Sequence, residues 1–122
     1  MNLVFMGNPS FAVPALEKLA ASDYQIVAVV SNPPQKMGRG KKIRETAIAI
    51  KAKSIGLHVI QQQDLKSSYF KRELEELNAD LFVVVAFRIL PNSLITIPKL
   101  GSINLHGSLL PAYRGAAPIQ WP

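Results

Sequence analysis

The stretch DLFVVVAF, residues 80–87, decides the fold. From Leu81 to Val85 no polar side chain interrupts either alternating face, so a strand made here must be covered on both sides, as in a mostly parallel sheet layered between helices. The flanking sequence repeats the theme. NLVFM (2–6) reads as a buried strand stopped by the breaker GNPS (7–10), QIVAVV (25–30) as a second β-branched run, HVI (58–60) as a short third and SINLH (102–106) as a further one. Helical patterns fill the gaps. Ser10 is placed to cap a helix reaching about Ala21, with Phe11, Ala15, Leu16 and Leu19 inward and Pro14 in its first turn. A helix from about Thr46 to Ile55 ends at Gly56, and YFKRELEELN (69–78), started by Ser67 or Ser68, puts Phe70, Leu74 and Leu77 on one face. Strands alternating with helices predict an α/β three-layer domain.

The 122 residues, 48% hydrophobic and 18% charged, fit a folded domain or a piece of one and exclude a disordered chain. No cysteine is present, which removes disulfides, thiolate metal sites and a thiol nucleophile, and makes the cytoplasm the expected compartment. The N-terminus runs straight into a strand without a basic leader, and the longest apolar run, Leu81 to Phe87, is too short to cross a bilayer. No export signal or membrane anchor is expected. The net charge of +6 is concentrated in KMGRGKKIR (36–44), where Lys36, Arg39, Lys41, Lys42 and Arg44 stand without an acid; the other nine cations face eight acids. A solvated loop is one reading of this run, and a polyanion-binding loop is the other.

In parallel sheets ligands bind beyond the carboxyl ends of the strands, where strand order reverses. Three loops lie there: GNPS, AFRILP (86–91) and HGSLLPAYRG (106–115). GNPSFA lacks the G-x-G-x-x-G spacing of a dinucleotide loop and is assigned no ligand. Asn104 and His106, two apart at a strand end, share one face. An amide donor beside an imidazole suits acyl transfer, in which negative charge gathers on a carbonyl oxygen while a proton moves. The pair by itself also fits a turn cap with a packed histidine. The following SLLP can wall an apolar pocket for a planar heterocycle, and Arg114 with Gly115 suits an anion or a carbonyl.

Taken together, VFMGNPSFAVPALEKL (4–19), GRGKK (38–42), ADLFVVVAFRILP (79–91) and NLHGSLLPAYRGAAPIQW (104–121) closely resemble the folate-dependent formyltransferases along the whole chain. The GRGKK loop favours the tRNA-modifying branch over branches acting on a purine precursor or a sugar amine. The resemblance implies a Rossmann-like domain that moves a formyl group from 10-formyltetrahydrofolate to the amino group of methionyl-initiator-tRNA for translation initiation, with no metal. It implies catalytic roles for Asn104, stabilising the oxyanion, and His106, polarising the carbonyl and aiding proton transfer. It assigns tetrahydrofolate contacts to Ser108, Leu109, Leu110 and Pro111 and to the loop Phe87, Arg88, Ile89 and Leu90, and tRNA contacts to Arg39, Lys41 and Lys42. The family's third catalytic residue, an aspartate beyond the histidine, has no counterpart, because the last acid of this chain is Asp80. Residues 1–122 are therefore expected to be a partial N-terminal catalytic domain, truncated on its C-terminal side and without the family's C-terminal β-barrel. Two alternatives stay open: the same chemistry on a small amine, and a non-catalytic remnant that binds folate or RNA.

Overall fold

The structure, a computed structural model, describes residues 1–38, 40, 42–105 and 119–120. Its elements follow the chain as β1 (Asn2–Gly7), a 3-10 turn (Ser10–Ala12), α1 (Val13–Ala20), β2 (Gln25–Ser31), β3 (Gln35–Met37), β4 (Lys42–Arg44), α2 (Ala47–Ser54), β5 (Val59–Gln61), α3 (Ser68–Glu76), β6 (Leu81–Val85), α4 (Asn92–Ile95), β7 (Ser102–Leu105) and β8 (Ile119–Gln120). Six strands form one sheet in the order β5-β2-β1-β6-β7-β8. Its first five strands are parallel, and β8 runs antiparallel along Ile103 and Asn104 of β7. This is the expected α/β three-layer arrangement.

Alternation along the strands builds two cores. Leu3 and Phe5 of β1, Val29 of β2 and Val83 and Val85 of β6 face α1 and α2, where Leu16, Ile48 and Ala52 close the layer. Val4 and Met6, Ala28 and Val30, and Phe82 and Val84 face α3 and α4, meeting Phe70, Leu74 and Leu94. Each large side chain fully removed from water this way contributes about 1.5–3 kcal/mol. The helices are started by polar caps: the Thr46 hydroxyl accepts from the Ala49 N–H at 3.0 Å and the Ser67 hydroxyl from the Phe70 N–H at 3.3 Å. Gly56, at φ 80°, ends the α2 region as its sequence position predicts.

Three expectations are corrected, and two short elements are added. Ser10 does not cap α1; it opens the 3-10 turn, and α1 begins three residues later with Pro14 in its first turn. The tighter turn shifts the angular register, so Ala12 takes the buried position and Phe11 is 53% exposed. The basic stretch is not an irregular loop: its described ends, β3 and β4, pair antiparallel, Gln35 with Arg44 and Lys36 with Ile43, in a separate two-stranded sheet. Gly38 and Gly40, at φ 74° and 79°, supply the left-handed backbone between its strands. Finally, β8 pairs with the edge of β7 that the sequence leaves open, and α4 adds a short helix to the AFRILP connection.

Candidate active site

The chain runs outward from β1 through β2 to β5 on one side of the sheet, then returns to β6 and β7 on the other. Strand order therefore reverses between β1 and β6, and the crevice beyond their carboxyl ends is the binding position of this architecture. Gly7 lets the two strands close there: a Cβ on it would stand 2.6 Å from the Val85 carbonyl oxygen. Beside it, the buried Ser31 hydroxyl donates to the Gly7 carbonyl at 2.7 Å and also meets the Asn8 Oδ1 at 3.1 Å and the Thr46 hydroxyl. Asn8 Oδ1 accepts from the Asn32 N–H at 2.9 Å, and the Asn8 carbonyl from the Ile48 N–H at 3.2 Å. The Asn8 Oδ1 and main-chain carbonyl are thus engaged inside the protein.

On the other lip, β6 is followed by Ala86, whose φ of 54° is left-handed, a conformation unfavourable for a non-glycine residue. In the segment after it, Ile89 alone is exposed. Phe87 packs against the α3–α4 core, Arg88 turns its guanidinium toward the β5–α3 connection, Ile89 is 80% exposed and Leu90 is buried. Arg88 donates from Nη1 to the Gln63 carbonyl at 2.5 Å and from Nη2 to the Gln62 carbonyl, with its Cζ 5.1 Å from the Phe87 ring centre. Burial lowers the proton affinity of this guanidinium. Of the four sequence candidates here, Ile89 presents its side chain outward, while Leu90 can offer a ligand only its backbone.

Asn104 is half-buried on β7, opposite Val84 of β6. Ile103 and Leu105 pack toward the α1–α2 core, and the Ser102 hydroxyl donates to the Ile95 carbonyl of α4 at 2.8 Å. Alternation then puts Asn104 on the α4 face, the same face as the 87–90 segment. An apolar depression of about 480 Å³ lined by Leu81, Val83, Ile103 and Leu105 lies on the opposite face, away from this chemistry.

Lys42 is exposed on β4 with Arg44, and Lys36 on β3, so the hairpin carries its cations into solvent together with the 69% exposed Ile43. At its base Glu45 accepts from Lys53 Nζ and from Gln61 Nε2 at 3.2 Å. Those bonds, Lys53 first, hold its carboxyl below the ordinary glutamate range. His106, Ser108, Leu109, Leu110 and Pro111, with Arg39 and Lys41, lie outside the described residues. Asp80 is committed at the far end of the sheet, where its Oδ2 accepts from the Asn2 N–H at 2.7 Å. That is four residues, or about 13 Å of strand, before the Val84 level at which Asn104 sits. Its place there does not suit the part of the aspartate that the resemblance implies. Among the described residues no group of three or more His, Asp or Glu could hold a metal ion, and no helix is long and apolar enough to cross a membrane. The Arg88 contacts were not foreseeable locally, since their partners lie 25 and 26 residues away.

A model of the formyl transferase family matches residues 1–122. The chain belongs to the formyl transferase family. It is 48% identical over 120 residues to a methionyl-tRNA formyltransferase of Porphyromonas gingivalis, covering 98% of this chain and 37% of that protein. Enzymes of the same name from Parabacteroides distasonis and Caldanaerobacter subterraneus are 48% and 46% identical, each across 99% of this chain and over 38% and 40% of their own length. The chain thus spans about two fifths of the curated relatives it matches. Among solved formyl transferases, the phosphoribosylglycinamide formyltransferase of Anaplasma phagocytophilum superposes with a TM-score of 0.59 at 28% identity, over 93% of this chain and 52% of that one. Family membership and the mostly parallel Rossmann-like sheet agree with the sequence reading.

Proposed function

We propose that this chain supplies the donor-side half of a catalytic domain that transfers a formyl group from 10-formyltetrahydrofolate to the amino group of methionyl-initiator-tRNA in the cytoplasm. The observation that carries the reading is the place of Asn104: at the carboxyl end of the sheet, one strand from the β1–β6 reversal, on the face shared with residues 87–90. The names of the 46–48% identical relatives favour tRNA as acceptor over the phosphoribosylglycinamide named for the 28% identical structure.

In this reading the acceptor amine adds to the formyl carbon, and the carbonyl electron pair moves onto oxygen. The Asn104 amide donates a hydrogen bond to that oxygen as its charge develops. His106, two residues on, relays the proton that leaves the amine, and the bond to the departing folate nitrogen breaks as that nitrogen is protonated. Ile89 and the backbone of Phe87 to Leu90 form one wall for the pterin, with Ser108 to Pro111 completing it. Lys42 of β4, with Arg39 and Lys41 of the same basic stretch of sequence, neutralises tRNA phosphates. The domain assignment follows: residues 1–122 are the N-terminal part of the catalytic unit, and the remaining length of the full enzyme brings the orienting aspartate and a β-barrel that holds tRNA.

The test is Asn104→Ala in a protein of the relatives' full length. Losing one oxyanion donor lowers kcat about 10²- to 10³-fold while donor affinity changes far less. An unchanged kcat at saturating substrates removes Asn104 from the chemistry. Equal turnover with methionyl-tRNA and with a small amine removes tRNA as the specific acceptor.

A further inference from the structure

We propose that Arg88 is a positioning residue for the donor side of the site, its guanidinium clamping the segment after β6 to the connection after β5 and so fixing the surface that Ile89 presents. The ligand half of this inference rests on the function proposed above; the clamp itself does not.

Strands β5 and β6 stand three places apart in the sheet, so no backbone ladder joins the loops that leave them. Arg88 joins them. Its two terminal nitrogens reach two successive carbonyls, Gln62 and Gln63, and its plane lies near the Phe87 ring at 5.1 Å. This is an expensive way to build a loop. The guanidinium is half-buried, its Nε is buried without a hydrogen-bond partner, and no carboxylate among the described residues pairs with it. Water in the open would satisfy every one of these donors.

What the clamp secures is legible in the residues on either side of it. Ala86 sits in a left-handed conformation that an alanine holds only when its surroundings enforce it. Leu90 is pinned by burial at 3% exposure, whereas Ile89 between the two anchors is 80% exposed. Fixing Arg88 and Leu90 inward leaves Ile89 raised as a rigid apolar platform, the surface a planar heterocycle stacks on, and rigidity in the free protein lowers the ordering cost of binding. Lysine cannot substitute, because one ammonium cannot present the planar fork that spans two adjacent carbonyls.

The experiment compares full-length Arg88→Ala, Arg88→Lys and Leu77→Ala. The last trims a partly buried member of the α3–α4 core without touching the clamp. Amide hydrogen exchange at residues 87–90 is read first, without ligand, and then the Kd for 10-formyltetrahydrofolate under argon and the Kd for methionyl-tRNA. In Arg88→Ala the 87–90 amides exchange about tenfold faster and the donor Kd rises about tenfold, with the tRNA Kd within about twofold of the parent. Arg88→Lys restores neither, and Leu77→Ala lowers Tm with the donor Kd unchanged. Unaltered exchange in Arg88→Ala overturns the clamp. Faster exchange with an unaltered donor Kd overturns the positioning role, and so does Leu77→Ala raising the donor Kd as much as Arg88→Ala. A parent protein that binds no donor overturns the functional reading and the ligand half with it, while the exchange result still decides the clamp.

Discussion

Replacing Gly7 with alanine forces apart the two strands that frame the crevice. The added Cβ would lie 2.6 Å from the Val85 carbonyl oxygen and 3.1 Å from Phe5 Cε1. Carbon–oxygen contacts normally stop near about 3.3 Å, so the end of β1 must retreat from β6 by about 0.7 Å. Neither neighbour can yield, one being backbone and the other a fully buried ring. Overpacking of this kind costs about 1–3 kcal/mol. With an unfolding entropy of about 2.1 cal/mol/K per residue, 122 residues give roughly 0.26 kcal/mol/K, and a loss of about 2 kcal/mol lowers Tm by about 8 °C. Differential scanning calorimetry on parent and variant reads this directly. A Tm within about 1 °C of the parent would show that the strands close without needing a glycine.

Further outcomes follow from the hydrogen bonds and charges around the same crevice. Ser31→Ala strips a fully buried hydroxyl from the Gly7 carbonyl, Asn8 and Thr46, which should cost about 1–3 kcal/mol in urea unfolding with an unchanged m value. Glu45 has its pKa held down in the fold by Lys53 and then Gln61, so its contribution is present above the ordinary glutamate pKa and disappears as pH falls through the lower folded value. The Tm difference between parent and Glu45→Gln should therefore be small but present at neutral pH and vanish in acid; a difference that persists there refutes the assignment. Neutralising Lys41 and Lys42 in the full-length protein should weaken tRNA binding and reduce its salt slope by up to about 0.9 for each phosphate no longer neutralised, and an unchanged slope would make the hairpin a bystander.

The central strands β1 and β6 are legible in the sequence because both of their faces are buried, which leaves unbroken apolar runs such as Leu81 to Val85. Thr46 and Ser67 act in the structure as the caps that residues of their type, just ahead of periodic segments, predict. What stays hidden depends on distant partners. The hairpin is concealed because its glycines and cations carry the composition of a loop, while its pairing of Gln35 with Arg44 spans nine positions. The two-residue β8 has no local pattern to betray it and exists by virtue of the open edge of β7. Counting in twos places Asn104 on a shared face, whereas the inward turn of Arg88 is fixed by carbonyls from another strand's loop. Phe11 reads as inward-facing from helical spacing alone, but it lies in the tighter 3-10 turn, which puts Ala12 inward instead, while Ala15, Leu16 and Leu19 keep the expected face.

The hairpin of β3 and β4 shares no ladder with the main sheet. A piece attached only at its root can be lengthened, recharged or exchanged in the course of descent while the crevice behind it keeps its shape. Because Asn104 lies on a strand of the main sheet and the hairpin does not, a lineage that works as proposed above could change its acceptor by rewriting the hairpin's few residues, leaving the donor side inherited intact.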